Sequence, residues 1–135
     1  MRLLFSVLLL SVVAPASADW VKVGEVKKST HIFMSATTVY FVDPSMITRD
    51  GSLRRVWEIH NLPDTGPSGE RSILASVEYD CAEKRMRTLS ATGHSEPMAS
   101  GQIIALRNVL DDWTNLSAGK GDQVFMKILD MACAP

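Results

Sequence analysis

The sequence predicts a single α+β domain in which about six mostly antiparallel strands precede one C-terminal helix. Three observations carry this expectation. Apolar and polar residues alternate with period two through several short runs between Trp20 and Leu106, separated by turns rich in glycine, proline and aspartate. The period then changes, because Val124, Phe125, Ile128, Leu129 and Ala132 follow a helical stripe. Finally, two cysteines, Cys81 and Cys133, stand at the end of a predicted strand and at the end of that helix.

The elements follow in order. Trp20 to Glu25 alternates as a half-buried strand does, and the polar run Lys27 to Thr30 reads as a loop. Thr37 to Asp43 is β-branched and aromatic, and Pro44 stops it because proline cannot donate to a ladder. Asp50-Gly51 between Ile47-Thr48-Arg49 and Ser52 to Leu62 is the strongest hairpin signal, since both residues accept the positive φ of tight turns. In the longer arm Leu53, Arg55, Trp57 and Ile59 share one face and Arg54, Val56, Glu58 and His60 the other; Trp57 and Ile59 are expected to face the core.

Pro63 to Gly69 reads as a flexible loop. In the next strand Ile73, Ala75, Val77, Tyr79 and Cys81 share the packed face. A polar turn over Cys81 to Lys84 leads into the strand Arg85 to Ala91; Gly93 to Gly101 reads as irregular, and Gln102 to Leu106 as a further short strand. Leu110 to Gly121 has no clear period, and Trp113 is its expected anchor. Asp122 is placed to cap the final helix, which has about three turns.

The first eighteen residues are expected to be a cleaved secretory signal peptide. Met1-Arg2 precede the apolar run Leu3 to Val13, followed by Pro15 and the small triplet Ala16-Ser17-Ala18. As a helix that run would reach about 16 Å, short of a hydrocarbon core of roughly 30 Å. Cleavage between Ala18 and Asp19 would leave residues 19–135 as one domain. The net charge of the whole chain is −1, and losing Arg2 makes it more negative. A basic excess for phosphate contacts is missing, which argues against a nucleic-acid partner.

Export would place Cys81 and Cys133 where a disulfide persists, and the two are expected to pair. A bridge closing about fifty residues would restrain the unfolded chain by roughly 4 kcal/mol in the chain-entropy account. The alternatives are a lone reactive thiol or an intermolecular bridge.

An ordered set of short motifs spans nearly all of residues 19–135. It comprises Asp19-Trp20-Val21-Lys22-Val23-Gly24, Val39-Tyr40-Phe41-Val42-Asp43-Pro44, Arg49-Asp50-Gly51 with Val56-Trp57, Tyr79-Asp80-Cys81 with the basic strand Lys84 to Arg87, Pro97-Met98-Ala99-Ser100-Gly101, and the helix ending in Cys133. In these the chain resembles the surface-adhesin protein E-like family of Gram-negative bacteria. The resemblance implies a sheet whose concave face holds the helix through one disulfide. It also implies adhesion to host matrix or serum proteins such as vitronectin, laminin and plasminogen. The family's founding member is an outer-membrane lipoprotein, whereas here Asp19 stands where lipidation needs a cysteine.

Chemistry-bearing residues are few. Glu58 and His60 have i, i+2 spacing that a metal could use, but no third ligand accompanies them, and a partly exposed polar strand face accounts for the pair. His94 with Glu96 reads as a solvated turn. The chain has no nucleophile elbow, and Ala118-Gly119-Lys120-Gly121 lacks the remaining pattern of a phosphate loop. Lys84, Arg85 and Arg87 are either a patch for an acidic partner or a charged strand rim. Trp20 and Trp113 are the aromatic candidates outside the core. The expected protein is therefore non-enzymatic, with no catalytic residue, cofactor or metal. It would bind a protein partner, either host matrix protein or an envelope component, as a periplasmic or secreted domain or one associated with the outer membrane, and a dimer is compatible with this; the remaining alternative is a small hydrolase or metal-dependent enzyme.

Overall fold

The computed structural model describes residues 18–31, 34–108, 110–117, 119 and 122–135. The signal-peptide expectation for residues 1–17, and most of the glycine-rich segment 118–121, lie outside the described residues. One antiparallel sheet runs in the order β1-β2-β4-β5-β6-β7, with short strands β3 and β8 pairing with β4 and β6. The strands are β1 Val21–His31, β2 Met34–Val42, β3 Thr48–Asp50, β4 Leu53–Asn61, β5 Ser72–Asp80, β6 Arg85–Glu96, β7 Ser100–Arg107 and β8 Thr114–Asn115. Helix α1, Gln123–Cys133, closes the chain on the curled sheet's inner face. The six-strand path, the C-terminal helix and the Cys81–Cys133 disulfide all match the expectation, with Cα atoms 5.8 Å apart across the bridge.

The core is the helix stripe pressed into the sheet. Val124, Ile128, Leu129 and Ala132 are buried against Val42, Val56, Val77 and Tyr79, each large side chain contributing roughly 1.5–3 kcal/mol by leaving water. Asp122 is the N-cap, but its side chain makes no cap bond; its carboxylate accepts from the Ser117 amide at 3.1 Å instead. At the other end the sheet itself caps the helix. Arg54 Nε donates to the Ala132 carbonyl at 3.1 Å, and Arg49 Nη2 to the Ala134 carbonyl at 2.9 Å, satisfying acceptors that the helix leaves open.

Register decides which face is inside, and here the β4 expectation is corrected. Val56 lies opposite Val77 and Glu58 opposite Ala75, so Arg54, Val56, Glu58 and His60 face the helix. Trp57 and Ile59 lie on the outer face, where Ile59 is fully buried between its register partners Phe41 and Leu74 and Trp57 is only half-buried. The polar face turns inward because its polar groups find partners there, which removes most of the penalty for burying them.

Two segments expected to be loops are strands. Lys27 to Thr30 continues β1 and pairs with β2, Lys27 opposite Thr37 and Lys28 opposite Ala36, so the polar composition marks an exposed hairpin arm. Gly93 to Glu96 continues β6, and Pro97-Met98-Ala99 forms a tight turn into β7. Met98 and Ala99 both take positive φ, 58° and 54°, as a primed hairpin turn requires. Asn61 and Ser72 hold that turn. The Met98 amide donates to Asn61 Oδ1 at 2.8 Å and the Ala99 amide to Ser72 Oγ at 2.9 Å, while Ser72 Oγ donates to the Glu96 carbonyl at 2.6 Å. The Asp50-Gly51 hairpin forms as expected, with Gly51 at φ 59°.

Candidate binding surface

Under the helix, β2, β4 and β5 bring four polar or aromatic side chains together. Glu58 is 0% exposed; its Oε1 accepts the Tyr79 hydroxyl and its Oε2 lies 2.7 Å from His60 Nε2. Tyr40 packs against the His60 ring with centroids 4.5 Å apart and planes tilted by 53°, and meets Phe125 of α1 edge-on at 5.4 Å. Burial, reinforced by the Glu58 carboxylate, raises both tyrosines above their ordinary pKa, Tyr79 strongly. The expectation of a partly exposed polar face holds for His60, whose side chain is 19% exposed, and is overturned for Glu58, which lies in the interior and is held by Tyr79 and His60. The expected adjacency of Glu58 and His60 holds. Among the described residues no group of three His, Cys, Asp or Glu side chains is placed to hold a metal ion.

His94 is also inside rather than in a solvated turn. It is 6% exposed on β6, with Nε2 2.8 Å from Thr92 Oγ1, while Glu96 is exposed and pairs with Arg71 at 3.3 Å. Its sequence signal was masked by the flanking glycine and proline, which suggested a loop.

The basic run Lys84, Arg85 and Arg87 resolves into a structural cluster. Arg87 grips Glu78 with Nε at 2.9 Å and Nη2 at 2.6 Å, and Arg85 Nε donates to Asp80 at 3.0 Å. Both guanidiniums sit over the Trp113 ring, at 4.5 Å and 4.2 Å from its centre. Trp113 is therefore the anchor of its segment, clamping β8 onto β6. Only Lys84, in a positive-φ turn position, projects freely into solvent.

Beyond the helix the inner face continues as a floor that the 62–71 loop partly covers. Tyr40, His60, Ile73, Gly93 and Ala105 form one row across β2, β4, β5, β6 and β7. At its β6–β7 end lies a cleft of about 220 Å³, floored by Ile73, Ala91, Gly93 and Ala105 and walled by Glu70 and Arg107. A Cβ on Gly93 would come within 3.1 Å of Glu70 Cβ and 3.0 Å of Ala105 Cβ, so glycine is what lets the 62–71 loop close over the sheet.

The two sheet edges are managed differently. On β1, a bulge at Val23 turns its side chain into the core, and Lys127 of α1 donates to the Val23 carbonyl at 3.2 Å. A groove of about 420 Å³ between β1 and α1 includes Gly24, where a Cβ would meet Val124 Cγ2 at 3.0 Å. On β7 the outer edge pairs with no strand among the described residues. Ile103 is 63% exposed, Leu106 76% and, beyond the strand, Leu110 58%. An unpaired edge carrying exposed apolar side chains is a ready template for another chain. Sequence reasoning read Gln102 to Leu106 as a strand but had no signal for its place at the edge.

No helix among the described residues is long and apolar enough to cross a membrane. No curated protein and no solved structure matches the chain. The family of surface-adhesin protein E matches residues 20–134, nearly the whole length. Membership points to an exported or surface, non-enzymatic protein that binds other molecules. With the disulfide-held helix on a curled antiparallel sheet and a continuous match from Trp20 to Ala134, the chain belongs to the surface-adhesin protein E family.

Proposed function

We propose that this domain is an adhesin-like, non-enzymatic binding protein of the bacterial envelope that captures a protein partner along β7. The observation supporting this reading is the unpaired β7 edge with Ile103, Leu106 and Leu110 exposed on or just beyond it. An extended segment added there would gain main-chain hydrogen bonds while covering apolar surface, and the neighbouring cleft would accept one of its side chains. The partner class is a host matrix or serum protein. Purified protein is expected to be retained on immobilised matrix proteins, and the double variant Ile103→Lys, Leu106→Lys to lose most of that retention. Unchanged retention by the double variant removes β7 as the contact.

A second reading has its own observation: Asp19 follows Ala16-Ser17-Ala18 where a lipoprotein carries cysteine. On that reading the domain resides in the periplasm and uses the same edge on another envelope component. Cell fractionation with surface protease shaving separates the two. Recovery confined to periplasmic extract eliminates host adhesion, and digestion on intact cells eliminates the periplasmic alternative.

A further inference from the structure

The Asp43 carboxylate is 1% exposed, and all of its hydrogen-bond donors among the described residues are uncharged. Ser45 supplies two of them, its amide at 2.9 Å and its hydroxyl at 2.6 Å. Asp43 forms no salt bridge with Lys, Arg or His among the described residues. The third donor is the main-chain nitrogen of Asp19, 2.9 Å from Asp43 Oδ2. The register brings the two together: Val21 opposes Val42, so the residues just before β1 run alongside the residue that ends β2. Three uncharged donors already satisfy this carboxylate, and among the described residues the donor that can acquire a positive charge is the Asp19 nitrogen.

We propose that cleavage between Ala18 and Asp19 turns this amide into an ammonium group that forms an ion pair with Asp43, so that export processing itself completes the fold at the open end of the β1–β2 hairpin. The inference rests on the signal-peptide reading of residues 1–18. Hydrolysis by the export peptidase consumes one water, leaves a carboxylate on Ala18 and an amine on Asp19, and that amine takes up a proton at neutral pH, its ordinary pKa being roughly 7.7–8.0. The neutral N–H···O bond becomes a charge-assisted one, which is shorter and stronger. Among the described residues its hydrogen-bond partner is the Asp43 carboxylate, whose shell Ser45 completes, and the exposed side chain of Asp19 itself carries a second negative charge next to it. The precursor lacks the ammonium, so the pair distinguishes processed from unprocessed chain. In the precursor the first strand is held at this point by the neutral bond alone, the weaker of the two.

The protein is exported with its own leader, purified, and its first residue sequenced. Asp19 is expected; another first residue overturns the processing step. On the Asp19-terminated protein, the α-amino group is expected to titrate above its ordinary range of roughly 7.7–8.0. Because its folded pKa is raised, the stabilisation is complete below the unfolded value and is lost as pH rises through the folded one. Selective α-amino acetylation is expected to lower the folding equilibrium constant on the order of tenfold, the equivalent of one pKa unit. The same acetylation of Asp43→Asn should leave it nearly unchanged. An α-amino group that titrates at its ordinary value, or acetylation with equal effect in both proteins, overturns the ion pair even when cleavage at Asp19 is confirmed. Should Asp43→Asn fail to fold, the wild-type titration decides alone.

Discussion

Tyr79 donates its hydroxyl to Glu58 across the β4–β5 ladder, and neither side chain is exposed to solvent. The bond is paid for in neither direction by water, so removing one partner strands the other. Tyr79→Phe is expected to lower stability by about 1–3 kcal/mol, the cost of a buried acceptor losing its donor, with urea unfolding as the measure and an unchanged slope as the control. A loss well under half of that would mean that His60 alone satisfies the carboxylate.

The chain contains two tyrosines, Tyr40 and Tyr79, and both are raised above the usual value near 10. A group with a raised folded pKa contributes stability fully below its unfolded pKa and loses it as pH rises through the folded one. Phenolate absorbance is therefore expected to remain low as pH passes about 10, then to appear together with loss of the helix signal in circular dichroism. Early phenolate absorbance in folded protein would contradict the burial of Tyr79.

On the acid side Asp43 and Asp80 act in the opposite sense. Hydrogen bonds from the Ser45 hydroxyl and from the Ser45 and Asp19 amides outweigh burial and hold the Asp43 carboxyl below its usual range. For Asp80, burial pushes upward, but the Glu83 amide, Arg85 and the Ala82 amide together prevail. Their stabilisation is present above the unfolded value near 3.9 and is lost as pH falls through the lower folded values. Stability should be level down to about pH 5 and decline steeply below about 4. Asp80→Asn is expected to flatten part of that decline.

Cys81 and Cys133 are 52 residues apart, so removing both as serines should cost up to about 4 kcal/mol in the chain-entropy account. The helix would still be held by Arg54, Arg49 and its buried stripe. Arg54→Ala in the same background is expected to remove a further amount of about 1.5–3 kcal/mol, the worth of the charged hydrogen bond to the Ala132 carbonyl. Circular dichroism of the reduced wild type, with and without that change, checks the order.

Ala99 sits at φ 54° and Met98 at 58°, a conformation that costs an L-residue roughly 1–2 kcal/mol. Ala99→Gly should raise the thermal midpoint, by up to about 1 kcal/mol of stability, because the Ser72 bond to its amide is retained. Ser72→Ala should do the reverse, since the Glu96 carbonyl and the Ala99 amide both lose their partner.

Most of the fold was legible in the residues, and the candidate binding edge was not. The Asp50-Gly51 turn, the alternation of Ile73 to Cys81 and the Val124 to Ala132 stripe are local signals, and each gave its element in the right place. The ends of β1 and β6 were missed because polar and glycine-bearing runs look like loops until a neighbouring strand pairs with them. Arg85 and Arg87 left a patch and a charged strand rim both open because their acids, Glu78 and Asp80, and the ring of Trp113 come from other parts of the chain.

By itself, then, the sequence determined the class of the domain, its helix, its main hairpin and the pairing partners available to its cysteines, because periodicity, turn chemistry and cysteine number are properties of short segments. Only the tertiary structure decided that Glu58 and Arg54 face inward, that β7 is an open apolar edge and that Asp19 meets Asp43. Alternation along a strand identifies two faces without saying which is buried; that choice belongs to the register with distant strands and to the partners they bring.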